Sequence, residues 1–132
     1  MILLDTNYLI RSLVPNSDEA RQVMQWIRSG EDLCTSSVNW YEFLCGPVDD
    51  EAVLVVDSYL SERILPYTRD QALETSRLFN ETGRKRNLRI DAMIAAASII
   101  ANAELATGNI ADFEFFVPLG LRLFQSGSPR AV

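Results

Sequence analysis

The oxygen-bearing residues of this chain stand where chemistry would want them. Asp5 closes the apolar run MILL, Glu42 interrupts the apolar segment WYEFL, and Asp91 opens the otherwise apolar RIDAMIAAASII. Towards the C-terminus, TGNIADF adds Asn109 and Asp112 beside Thr107. Histidine is absent, which removes the usual general base near neutral pH and the commonest transition-metal ligand. Catalysis must then use carboxylates, hydroxyls, lysine or a hard cation. Each acid also has a local explanation. Asp5 could cap the helix after it, Asp91 could answer the positive end of its own helix, and Asn109 with Asp112 has capping-box spacing. Glu42 is harder to explain locally, because a carboxylate on a largely apolar helix needs a partner or a cation. Gathered together without a basic residue between them, such carboxylates repel one another unless a cation neutralises them. All-oxygen donors favour Mg2+ or Mn2+, and Mg2+ leaves much of its shell to water and substrate phosphate. The expected substrate therefore carries phosphate.

Positioning these groups requires strands that end at one edge. The sequence predicts strands over 1–5, 32–36, 63–68, 104–108 and around 121–124, each an apolar run bounded by polar or turn residues. Helical spacing predicts helices over 6–13, 18–28, 37–46, 50–62 and 69–83, and another from about residue 90. In the second of these, Ala20, Val23, Met24 and Ile27 form the apolar stripe. Residues 109–112 read as a polar turn, and the tail 127–132 as loose. Alternating strands and helices imply an α/β fold, with a central parallel sheet covered by helices on both faces. Asp5 then ends the first strand, Glu42 lies early in the helix after the second, Asp91 opens a helix, and Asn109 and Asp112 follow a later strand. All reach the carboxyl edge, where active groups of such sheets collect.

At 132 residues with 48% hydrophobic content, the chain suits one domain with one core, expected over 1–126. Cys34 and Cys45 lie in periodic apolar segments and read as buried free thiols, pointing to a reducing, cytoplasmic compartment. No basic leader precedes MILLDTNYLI and no apolar run reaches the roughly 20 residues of a membrane span, so neither a signal peptide nor a membrane partner is expected. The net charge of −6 argues against general nucleic-acid affinity, yet residues 84–89, RKRNLR, hold four of the twelve basic groups. Arg84, Lys85 and Arg86 could steer an RNA backbone towards Asp91; the plainer alternative is a solvated loop.

LLDTNYLI, WYEFL, RIDAMIAAASI and TGNIADF, in that order, together resemble the PIN-domain ribonucleases, and the short chain is similar to the VapC-type toxins of bacterial toxin–antitoxin pairs. The resemblance implies a three-layer PIN-like fold and Mg2+- or Mn2+-dependent cleavage of RNA. It carries the family's three acids onto Asp5, Glu42 and Asp91, with Asp5 and Asp91 holding the metal. The later pattern falls on Thr107, Asn109, Asp112 and Phe113. Many members have aspartate where this chain has Asn109, so either Asp112 completes the site or three acids and an amide serve. Thr6 and Thr107 are expected to support the ligands through their hydroxyls. The resemblance also implies a homodimer and a small antitoxin whose arginine-bearing tail suits a negative pocket. Two other readings compete. One is a PIN-like module that binds RNA or protein without cleaving. The other is a phosphotransferase with Asp5 as nucleophile, disfavoured because Asn7 and a lone lysine replace that chemistry's usual second acid and lysine partner.

Overall fold

Short apolar runs become strands here because they are buried on both sides. In the computed structural model, which describes residues 1–125, β1 (Ile2–Leu4) and β2 (Leu33–Ser36) are buried throughout. They pair with β3 (Ile64–Leu65) and β4 (Glu104–Ala106) in one parallel sheet of order β3-β2-β1-β4. The tail expected to be loose lies outside the described residues.

Alternate strand side chains feed two cores. Leu3, Cys34 and Leu105 pack with α5 (Arg69–Glu81) and α6 (Arg89–Ile100) on one face. Ile2, Leu4, Leu33 and Ala106 pack on the other with α1 (Thr6–Arg11), α2 (Asp18–Arg28) and α4 (Asp50–Leu60). Between β2 and α4 runs α3 (Ser37–Leu44), whose Phe43 enters the second core while Val38 packs against the first. This is the three-layer α/β arrangement expected. The alanines of α6 let it sink into the first core: Ala92, Ala95, Ala96 and Ala97 are fully buried. Ser17, Ser36, Asp49 and Thr68 start their helices by accepting the N–H three residues on.

Several local expectations change. The stripe on α2 is rotated: Val23 and Trp26 are buried, whereas Met24 and Ile27 are 47% and 42% exposed. Trp26 wins the inner face because its ring stacks on Tyr8 at 5.8 Å and meets the edge of Phe124 at 4.8 Å. The turn expected at 109–112 instead begins α7 (Ile110–Phe113), which runs into a 3-10 segment, Glu114–Leu119. Phe113 and Phe116, three residues apart and both buried, anchor that helical path. The strand expected around 121–124 contributes only a single bridge, Leu105 to Leu123. Cys34 is buried as expected, but Cys45 caps α3 and is exposed. No helix among the described residues is long and apolar enough to cross a membrane.

Strand order decides where a ligand can enter. From β1 the chain builds β2 and β3 on one side, then returns to place β4 on the other. The crevice beyond the carboxyl ends of β1 and β4 is therefore the switch point at which open α/β sheets bind ligands. Asp5 directly follows β1, and Thr107 directly follows β4.

Candidate active site

Asp5 lies one residue beyond β1 rather than within it, and only 5% of it is exposed. Its Oδ1 accepts the Thr6 N–H at 2.9 Å and the Asn39 amide at 2.9 Å, and its Oδ2 accepts the Thr107 hydroxyl at 2.7 Å. The residue thus caps α1, as its local explanation required, while its carboxylate sits at the switch point. Burial pushes its pKa up; the bonds from Thr107, Thr6 and Asn39 oppose that, and Asp112 adds to it.

Asn39 is the site residue that sequence reasoning overlooked. It is fully buried on α3 and donates to both Asp5 Oδ1 and Thr6 Oγ1, the latter at 3.0 Å. Its own Oδ1 accepts the Ser36 hydroxyl at 2.6 Å. Thr6 in turn donates to Glu42 Oε1 at 2.9 Å. One relay, Ser36–Asn39–Thr6–Glu42, therefore fixes Asp5 and Glu42 relative to each other. The signal was present in SVNWYEFL, where Asn39 precedes Glu42 by three residues and so shares its helix face.

Asp91 occupies the first turn of α6 and is partly buried. Its pKa is pushed up to about 6, first by burial and then by the charges of Asp112, Asp5 and Glu42. Carboxylates from three other segments thus act on Asp91. Asp112 is exposed but acts on both Asp5 and Asp91. Asn109 is also exposed; its N–H bonds Thr107 Oγ1 at 2.9 Å, and its side chain does not cap α7. The capping box that its spacing allowed is not formed. Thr107 links these parts, donating to Asp5 and accepting from Asn109. Arg84, Lys85 and Arg86 are exposed beyond the N-terminus of α6, outside this hydrogen-bonded set.

The donor set fits a hard divalent cation. Every group is an oxygen, and a cation would relieve the repulsion that holds Asp91 near pH 6. Among the described residues no three acidic, histidine or cysteine side chains form a ready-made cage. One or two carboxylates completed by water and phosphate suffice for Mg2+.

The raised Asp91 has a measurable consequence without metal. Its proton is held more tightly in the folded chain, so its stabilising contribution is complete below pH 3.8 and is lost as pH rises through about 6. Asp91→Asn should therefore raise the stability of metal-free protein at pH 7.5 by on the order of 1 kcal/mol, allowing for solvent screening of this half-exposed group. Melting temperatures of the two proteins should converge near pH 4, and equal values at both pH values would contradict the repulsion.

Residues 2–114 match the model of the PIN domain. The chain belongs to the PIN domain family. The PIN fold is shared with a toxin–antitoxin complex from Klebsiella pneumoniae, at 25% identity and a TM-score of 0.68 over 86% of this chain and 90% of that one. It is also shared with FitAcB from Neisseria gonorrhoeae, at 22% identity and 0.71 over 95% and 97%. A third similar structure is DNA-bound VapBC from Salmonella typhimurium, at 22% identity and 0.69 over 93% and 96%. No curated protein matches the sequence significantly. The resemblance to PIN domains read from the four motifs is borne out.

Proposed function

We propose that this PIN domain is a Mg2+- or Mn2+-dependent endoribonuclease, and the toxin of a toxin–antitoxin pair. The observation that carries the reading is the hydrogen-bonded set at the switch point of the sheet, in which Thr107 and Asn39 hold buried Asp5 and Thr6 ties Asn39 to Glu42, with Asp91 opening α6. Asp5 and Asp91 would hold the cation. When bound, the ion supplies charge neutralisation, polarises a phosphoryl oxygen and lowers the pKa of water. Thr107 and Asn39 favour the ionised form of Asp5 against its burial and aim it by donating to its two oxygens. Glu42, steadied by Thr6, orients the attacking water and accepts its proton. Asp112 is the fourth acid of the site, and Asn109 holds the loop through its N–H to Thr107.

The toxin reading draws on similar structures that are toxin–antitoxin or VapBC complexes, two of them bound to DNA. By analogy this chain would be cytoplasmic, form a homodimer, and meet a small antitoxin that presents arginine to the acidic pocket. Cleavage of RNA should require Mg2+ or Mn2+ and stop in excess chelator. Full activity in chelator would overturn the proposal.

Substrate would approach along the exposed Arg84, Lys85 and Arg86. Changing all three to Ala should weaken RNA binding and flatten the slope of log affinity against log salt by roughly 2–3 units. An unchanged slope would mean that the run is only a solvated connector.

A further inference from the structure

An open cleft of about 450 Å³ runs between α5 and the N-terminal end of α6, with Tyr67, Phe79, Asn80, Arg84, Arg89 and Met93 in its walls. Arg89 and Met93 each stand two residues from Asp91 and so project from a different side of α6. Phe79 is the centre of the cleft. The guanidinium groups of Arg84 and Arg89 lie 5.6 and 5.9 Å from its ring centroid. The end of α5 turns Arg84 back towards the ring. Gly83 and Arg84 are both left-handed, at φ 87 and 58, and the Arg84 N–H bonds back to the Phe79 carbonyl at 3.0 Å. This closes α5 as a Schellman turn and folds Arg84 over the end of the helix, where Asn80 Oδ1 accepts from its Nη1. A non-glycine residue in that conformation is strained and persists only where its surroundings hold it, often at binding sites. On the other side of the connector, the Lys85 ammonium lies 4.8 Å from the Phe115 ring.

Two guanidinium groups against one half-buried ring make a cationic patch in a chain of net charge −6. Bases stack on aromatic and guanidinium planes, and arginine N–H groups take phosphate oxygens in pairs. We propose that this cleft is a subsite for one unpaired nucleobase and its phosphate, belonging to a single-stranded RNA that continues past the N-terminal end of α6 towards the carboxylates. The proposal rests on the ribonuclease reading above and adds a residue, Phe79, that discriminates unpaired from paired RNA. Stacking needs a base free of its own helix, so a duplex would not enter.

The test is equilibrium binding of a fluorescein-labelled single-stranded RNA of about ten nucleotides in excess EDTA, which separates binding from cleavage. An abasic site is moved through the RNA one position at a time. With the unaltered protein, one position should weaken binding about tenfold. Phe79→Leu should weaken binding of the intact RNA by a similar factor and lose that position's sensitivity, since the two changes remove one contact. Arg89→Gln should flatten the salt slope by roughly one unit. If Phe79→Leu fails to fold, Arg84→Ala combined with Arg89→Ala carries the same cycle. Wild-type affinity in Phe79→Leu, or undiminished abasic sensitivity in that variant, would overturn the subsite while leaving Mn2+-dependent cleavage intact. Loss of dimer in Phe79→Leu with RNA affinity unchanged would overturn it too, and would make the cleft an interface between copies. If the unaltered protein neither binds this RNA in EDTA nor cleaves it with Mn2+, the subsite and the ribonuclease reading fall together.

Discussion

Asp5→Asn and Asp91→Asn should each slow RNA cleavage by at least about a thousandfold under saturating Mn2+. Each change keeps the shape of the side chain and removes one of the charges proposed to hold the cation. The double variant should be scarcely slower than either single one, because groups that act as a unit lose their effect together. Single-turnover kinetics with a labelled RNA would report this directly, without interference from product release. The folded state should survive both changes. In Asp5→Asn the remaining carbonyl oxygen would still accept from Thr107 or from the α1 N-terminus, where Asp5 now accepts both bonds. Residual cleavage within about tenfold of the unaltered protein would remove either residue from the proposed metal-holding pair.

Asn39→Ala is the second large effect expected, and it falls on a residue that touches neither solvent nor, as proposed, the cation. The change strips one donor from buried Asp5, one from Thr6 and the acceptor of the Ser36 hydroxyl. Leaving buried polar groups unpaired costs about 1–3 kcal/mol each where no water can replace the lost bond. A loss of about 2–4 kcal/mol in unfolding free energy is therefore expected from denaturant titration. Cleavage should also fall, because Glu42 is steadied only through Thr6 in this relay. Asn39→Asp should be worse near neutral pH and recover partly in acid, since it would set a fifth carboxylate 2.9 Å from Asp5. If Asn39→Ala loses stability but cleaves at the normal rate when folded, the relay is structural and does not position Glu42.

The reading from sequence succeeded where periodicity and burial agree. The strand MILL, the helix over 18–28 behind its acids, and the apolar helix that Asp91 opens all express one local preference and one tertiary environment. It went astray where a tertiary contact outweighed the local pattern. Met24 and Ile27 have the spacing of a core stripe, but the larger ring of Trp26 finds Tyr8 and Phe124 and rotates the helix. Residues 109–112 read as a turn because of their polarity, while Phe113 and Phe116 draw the same segment into helix.

For the site, the acids were legible because carboxylates are conspicuous in apolar surroundings. Asp91 feels the charges of Asp112, Asp5 and Glu42, which come from three other segments. Asn39 was not legible in the same way. An uncharged amide on a helix raises no electrostatic question until the strand order puts Asp5 beside it. The choice between Asn109 and Asp112 was likewise open to sequence alone, because both have the right chemistry. We propose Asp112 as the fourth acid, because its charge acts on Asp5 and Asp91, whereas Asn109 is a neutral amide. Asn109→Asp should accordingly tighten Mn2+ binding less than Asp112→Ala weakens it, as titration calorimetry on both variants would read.

The central claim is that these carboxylates direct water, with a hard cation, onto an RNA phosphodiester. Mass spectrometry of RNA cleaved by the protein in oxygen-18 water with Mn2+ tests it most directly. Water attack should leave phosphomonoester ends that carry the heavy oxygen, with no 2′,3′-cyclic phosphate, and Asp91→Asn should yield neither product. Cyclic phosphate ends without heavy oxygen, or products formed equally well in EDTA, would contradict the account.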